Sequence, residues 1–203
     1  MQGGKKILLK DMENFADRFV EKMFLSGEIG EEEKDRCRYI IVVKTEQLLT
    51  LLALLLGACF FRKVIPTVLF LLFFWQIRKR SGGYHMKNFQ RCFVGSVCIY
   101  IIWVKLLAPF LIMQREAGYG LFAASVLILE GIGAVNHPNM DWTKEEYAAG
   151  KQMTREIVLF EAAVIGATVL LGADEECVMY MMFGVILSAV LLLVAKVTGQ
   201  DAR

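Results

Sequence analysis

The chain has 203 residues, 56% of them hydrophobic and 22% charged, with a formal net charge of +2 and a mean hydropathy of +0.48. A soluble domain averages about 45 to 50% apolar residues, and here the excess is gathered into blocks at 48–61, 64–77, 93–113, 118–135 and 178–195, with the charges clustered between them. This excludes a soluble enzyme, a disordered chain, a collagen-like repeat and a nucleic-acid binder, and predicts an all-α, polytopic integral membrane protein in a lipid bilayer.

Residues 5–24 place Leu8, Met12, Phe15, Phe19 and Met23 on one stripe, flanked by Ala16 and Val20, with charge opposite. That spacing predicts an N-terminal amphipathic helix. Charges recurring at Lys5, Lys6, Lys10 and Asp11 leave no apolar core for a cleavable signal peptide. Residues 1–40 hold eight Lys/Arg and nine Asp/Glu, so the helix lacks the basic excess that binds anionic lipid by charge. Packing on the membrane domain or lying at its surface is the expected use. A turn over 26–30 follows, and Glu31, Glu32 and Glu33 stand where acidic side chains favour the start of a helix that runs into the first span.

Whether 48–77 is one helix or a hairpin about Arg62 and Lys63 is decided by charge. The hairpin gives about six spans, near 39–61, 64–77, 93–113, 118–135, 156–173 and 177–196. The N-terminal segment, the 78–92 loop, the 136–155 loop and the C-terminal end (Lys196 included) then share one side with 18 Lys/Arg, against 3 on the other. The positive-inside rule makes the 18-cation side cytoplasmic. A single long helix would divide the two most basic segments, and Pro66 also opposes it. The expected parts are a cytoplasmic amphipathic segment 1–38, a transmembrane domain 39–196 and a cytoplasmic tail 197–203. The second span, 14 residues, reaches about 21 Å against a hydrocarbon core of about 30 Å. The reading therefore draws segment 78–85 into the membrane face, where irregular backbone survives only if protein or a watery cavity surrounds it.

That segment opens the stretch Arg80-Ser81-Gly82-Gly83-Tyr84-His85-Met86-Lys87-Asn88-Phe89-Gln90-Arg91-Cys92. A thiol becomes a nucleophile when a base or positive surroundings favour its thiolate. His85 is a candidate base, Arg80, Lys87 and Arg91 are nearby cations, and a helix starting near 87 or 88 puts Cys92 close to its positive end. Seven residues of straight helix would separate the two Cα atoms by about 10.5 Å, so His85 belongs on the loop, folded back through Gly82-Gly83. No Asp or Glu occurs between Glu46 and Glu116. Gln47, Glu46, Asn88 and Ser96 are the candidates for orienting His85. By itself the His/Cys spacing says little, because free cysteine is usually a small buried hydrophobe.

The full pattern, Arg80-x-Gly82-Gly83-Tyr84-His85 with Cys92 seven residues on, after the second span of a polytopic chain of this length, resembles the accessory gene regulator B (AgrB) family of membrane cysteine peptidases. The resemblance extends to the charged N-terminus and to Gly133-Ala134-Val135-Asn136-His137-Pro138-Asn139, where Val135 stands in place of the proline the family tends to carry. It implies Cys92 as nucleophile and His85 as general base or acid in segment 39–196. Gln47 is similar to a polar residue near the start of the family's first span, and Glu46 fits almost as well. The implied partner is a short AgrD-like precursor peptide, trimmed and cyclised to a thiolactone or lactone pheromone for quorum sensing. The implied setting is a bacterial cell membrane, multi-pass, with the active-site loop and both termini cytoplasmic. A homodimer is left open, and neither a cofactor nor a metal is expected.

The remaining residues have plainer readings. His137 reads as a solvated loop residue, and Lys44 and Glu46 as snorkelling interfacial groups. Lys105 and Glu130 are intramembrane charges that would face a bundle interior or line a peptide path. Asp174, Glu175 and Glu176 read as a solvated outer loop. Ala162, Ala163, Gly166 and Ala167 suit close helix packing, and Trp75, Trp103 and Trp142 read as interface anchors. The five cysteines include no CxxC pair and form no disulfide framework. The rival function is a non-catalytic membrane peptide transporter or channel component. A zinc protease is disfavoured because HExxH is missing.

Overall fold

The computed structural model describes residues 16–84, 89–136 and 142–199. Every regular element among them is helical, which bears out the all-α class. Helix α1 covers 16–25. After a 3-10 turn at Glu31–Glu33 come α2 (Lys34–Phe61), α3 (Val64–Ser81), α4 (Phe89–Ile102), a π-helical turn (Trp103–Leu107), α5 (Ala108–Met113), α6 (Arg115–Ile132), α7 (Lys144–Leu170) and α8 (Glu175–Val197). Three stretches, Glu31–Phe61, Gln90–Met113 and Glu175–Val197, are long and apolar enough to cross a membrane, and they make this a membrane protein by length and composition. Of the other three expected spans, 64–77 lies within α3, 118–135 overlaps α6, and 156–173 overlaps the second half of α7, which begins at Lys144 inside the expected 136–155 loop.

Two compact units divide the chain, Met1–Ala53 and Leu54–Arg203. In the first, α1 lies antiparallel to the start of α2. Arg38 pairs with Asp17 at 2.6 Å, Lys34 with Glu21 at 3.6 Å, and the Lys34 ammonium stands 3.4 Å above the Phe24 ring. Exposed pairs of this kind contribute only about 0 to 1 kcal/mol each, so the docking rests mainly on the buried Ala16 and Val20. Phe19 is 47% exposed, which turns the buried face away from the expected stripe and onto the smaller side chains that let two helices approach. Leu8, Met12 and Phe15, the rest of that stripe, lie outside the described residues.

In the second unit α2 ends where charge and Pro66 predict. Arg62 takes a left-handed φ of 58°, Lys63 N–H returns to Ala58 O at 2.8 Å and Arg62 N–H to Cys59 O at 3.1 Å. A left-handed residue after the last turn satisfies carbonyls that a helix end leaves open. Pro66 falls in the first turn of α3, where its missing N–H removes no helical bond. Helix α3 then has 18 residues, about 27 Å, instead of the 14 expected. Regular helix through Arg78–Ser81 makes up the shortfall, and only Gly82, Gly83 and Tyr84 are irregular before the described backbone pauses.

The core is organised around α8, which is buried without a break from Val178 to Val185. Gly184 lets α3 approach: a β-carbon there would sit 2.8 Å from Phe74 N, 2.9 Å from Phe70 O and 2.9 Å from Phe73 Cβ. Phe183 stacks on Phe70 with centroids 4.9 Å apart and on Trp103 at 3.8 Å. Trp103 is thus a core residue, 1% exposed, and not an interface anchor. The cause lies six residues on. Pro109 cannot donate to the carbonyl four residues back, the turn widens so that Ala108 N–H bonds Trp103 O, and the shifted register carries the indole inward. A smaller cluster joins Leu54 and Ala58 to Tyr100, whose hydroxyl shares a 2.7 Å hydrogen bond with that of Thr67.

Two further expectations are corrected. Asp174, Glu175 and Glu176 are not simply solvated: Asp174 caps α8 by accepting from Cys177 N–H at 3.1 Å, Glu175 pairs with Arg115, and Glu176 with Lys63 at 2.6 Å. Ala163, Gly166 and Ala167 are exposed, and a β-carbon on Gly166 would meet nothing within 4 Å, so this small-residue stripe makes no close packing within the described chain. Trp75 is 46% exposed. Lys105 faces outward over the Phe61 ring at 4.8 Å. Glu130 has one carboxylate oxygen buried with no hydrogen-bond partner among the described residues.

Candidate functional site

The end of α3 is held by three other elements. Ser81 is buried, and its carbonyl accepts from Val135 N–H at 2.8 Å. Gly82 and Gly83 follow at φ 66° and 118°. These are left-handed backbone angles that side chains with a β-carbon rarely adopt, so the sequence uses glycine twice. Both glycines are buried. Tyr84 N–H donates to Leu191 O in α8 at 3.1 Å.

Inside this turn sits Arg78. One terminal nitrogen of its guanidinium donates to Gly82 O, and the other donates to Tyr84 O at 2.6 Å. A β-carbon on Gly83 would collide with that same group. Arg78 lies just beyond the apolar run 64–77. Its guanidinium is a cation at neutral pH. Cys92 is in the first turn of α4, counted from Phe89, and is exposed.

The second support comes from the segment after α6. Ala134 and Val135 are buried, and Tyr147 in α7 donates its hydroxyl to Ala134 O at 3.2 Å. The Asn136 side chain accepts from Trp142 N–H and donates to Trp142 O, both at 3.2 Å. Gly150 lies against Arg80 O, where a β-carbon would stand 3.4 Å away. A proline at 135 would have no N–H for Ser81 O, so valine makes a contact here that proline cannot.

The expected site residues fare differently. Gly82 and Gly83 follow the end of α3 and are buried, and Cys92 lies in the first turn of α4, exposed. Ser96 stands one turn beyond Cys92, half-buried. Arg80 turns back along α3, its guanidinium donating to Gln76 O at 3.3 Å and to the Gln76 side chain at 3.5 Å. Gln47 is exposed and accepts from Lys44 at 3.4 Å, and Glu46 is half-buried, its carbonyl accepting from Thr50 at 3.0 Å. Both belong to the first unit and Cys92 to the second. His85, Asn88 and His137 lie outside the described residues. Arg78 and Leu191, which hold the turn, were not among the expected site residues. The signal for Arg78 was present, since a cation in the last turn of a helix is well placed to satisfy open carbonyls.

The family model described as accessory gene regulator B matches residues 13–193. The chain belongs to the accessory gene regulator B family. Membership ties it to peptide processing in accessory gene regulator quorum sensing, to a peptidase-like character and to the AgrD precursor peptide. No curated protein and no solved structure shows significant similarity to it.

Proposed function

We propose that the chain is a membrane-embedded cysteine endopeptidase that cleaves a short AgrD-like precursor and promotes its cyclisation to a thiolactone or lactone. Cys92 is the nucleophile and His85 the general base or acid. The observation that carries the reading is Cys92 itself: an exposed thiol in the first turn of α4, seven residues beyond His85 in a chain of this family. In the proposed reaction the Cys92 sulfur attacks the scissile carbonyl, the amine leaves with a proton, and an acyl thioester remains on the enzyme. A thiol or hydroxyl of the same peptide then attacks the thioester, the ring closes and the Cys92 thiol is regenerated. Intramolecular attack competes with water because well-oriented groups reach effective molarities of about 10⁵ to 10⁸ M. Glu46, Gln47, Asn88 and Ser96 stay as candidates for orienting the histidine or the substrate. The proposed topology is multi-pass with both termini and the 78–92 loop cytoplasmic, where a ribosomally made precursor is met.

The test replaces each residue separately. Cys92→Ala is expected to abolish cleavage of a co-expressed, tagged AgrD-type precursor, and His85→Ala to lower it by about 10² to 10⁴-fold. Cys37→Ala, Cys59→Ala, Cys98→Ala and Cys177→Ala are expected to keep it. Normal processing by Cys92→Ala protein in the membrane refutes the reading.

A further inference from the structure

We propose that Arg78 is the positioning residue of this site, its guanidinium clamping the Gly82–Tyr84 turn so that the chain enters the His85 segment from a fixed place and direction. The proposal rests on the assignment of His85 above and adds the group that holds it.

The backbone itself explains why a clamp is needed. Two successive glycines at positive φ give the turn its shape, but glycine also has the largest conformational freedom to lose on ordering. Left to themselves, Gly82 and Gly83 would hand the following residues many exit directions. The structure restrains this dipeptide from outside. Ser81 O is held by Val135 N–H, Tyr84 N–H by Leu191 O, and the two carbonyls between and after the glycines, Gly82 O and Tyr84 O, by the two terminal nitrogens of one guanidinium. A planar fork with donors in fixed relation can grip two acceptors at once, whereas an ammonium is a point charge on a flexible stem. Gly83 completes the fit, because any β-carbon there would strike the Arg78 guanidinium.

The charge balance points the same way. No ion pair joins Arg78 to a carboxylate among the described residues. Its charge is met by carbonyl oxygens of the turn that precedes His85.

The experiment compares Arg78→Gln and Arg78→Lys with the unaltered chain in three measurements: precursor cleavage in membranes, alkylation of Cys92 by iodoacetamide, and amide hydrogen exchange of the 80–84 stretch. The expected results are a loss of kcat of about 10²-fold for Arg78→Gln with KM little changed, the size associated with misplacing a catalytic group by about 1 Å. Arg78→Lys is expected to recover only part of it. Exchange at Tyr84 should rise in both, while Cys92 alkylation persists and slow exchange of the α4 amides 93–102 shows that α4 is still formed. Because Arg78 acts through His85, adding Arg78→Gln to His85→Ala should cause no further loss. Full activity of Arg78→Gln overturns the proposal, as does an equal multiplicative loss on the His85→Ala background or collapse of Cys92 reactivity in both Arg78 variants. Normal cleavage by His85→Ala alone would overturn the assignment of His85 instead, a result read independently of the exchange data on the turn.

Discussion

The same substitution, glycine to alanine, should have opposite effects at two positions of neighbouring helices. In α8, a β-carbon on Gly184 would lie 2.8 to 2.9 Å from two backbone atoms and one β-carbon of α3. None of these can swing aside, so α3 and α8 must separate by roughly half an ångström to restore ordinary contact, and overpacking of a fitted core costs about 1 to 3 kcal/mol. Alanine returns about 1 kcal/mol of helix propensity. The backbone clash on three sides puts the cost toward the upper end, leaving a net loss of about 1 to 2 kcal/mol for Gly184→Ala, or about 2 to 8 °C in Tm for a chain of this size. In α7, a β-carbon on Gly166 meets nothing, so Gly166→Ala should keep the propensity gain and raise Tm by about 1 to 4 °C. Thermal unfolding in detergent followed by tryptophan fluorescence suits the comparison, since Trp103 stacks on Phe183, next to Gly184. The separation should also loosen the Tyr84 to Leu191 hydrogen bond two turns along α8 and lower precursor cleavage. If Gly184→Ala stabilises as much as Gly166→Ala, the close α3/α8 crossing and the account of the core fail together.

Replacing Val135 by proline removes the N–H that meets the buried Ser81 carbonyl; an orphaned acceptor costs about 1 to 3 kcal/mol, so Val135→Pro should unfold several degrees lower than Val135→Ala, which keeps the N–H, and equal melting would refute the contact. For topology, a reporter fused after Arg115 is expected to read external and one after Lys144 internal, from the 18 to 3 division of Lys/Arg; the reverse pattern would move the site away from a cytoplasmic precursor.

What could be read without the tertiary structure was set by neighbours in the chain. Runs of apolar residues, the charges between them and Pro66 placed the α2/α3 hairpin at Arg62 and Lys63, and the Gly-Gly pair before His85 with Cys92 beyond it marked the candidate site. The acidic run at 31–33 began a helix for an equally local reason. Which faces are buried was decided only by packing. Lipid tails are as apolar as a protein core, so helices α2 and α3 are hydrophobic all round and their sequences do not distinguish a lipid-facing side from an inner one. Trp103 read as an anchor and became core where the widened turn before Pro109 packs it on Phe183, and the Gly166 stripe read as packed although no neighbour lies within 4 Å of a β-carbon there. The 174–176 run looked solvated because its partners Lys63 and Arg115 lie far away in sequence. Arg78 belongs to the same class. Its identity was visible, but its use depends on a turn fastened by Val135 and Leu191, residues 57 and 113 positions away along the chain, and only their meeting makes a cation at the end of α3 into a clamp.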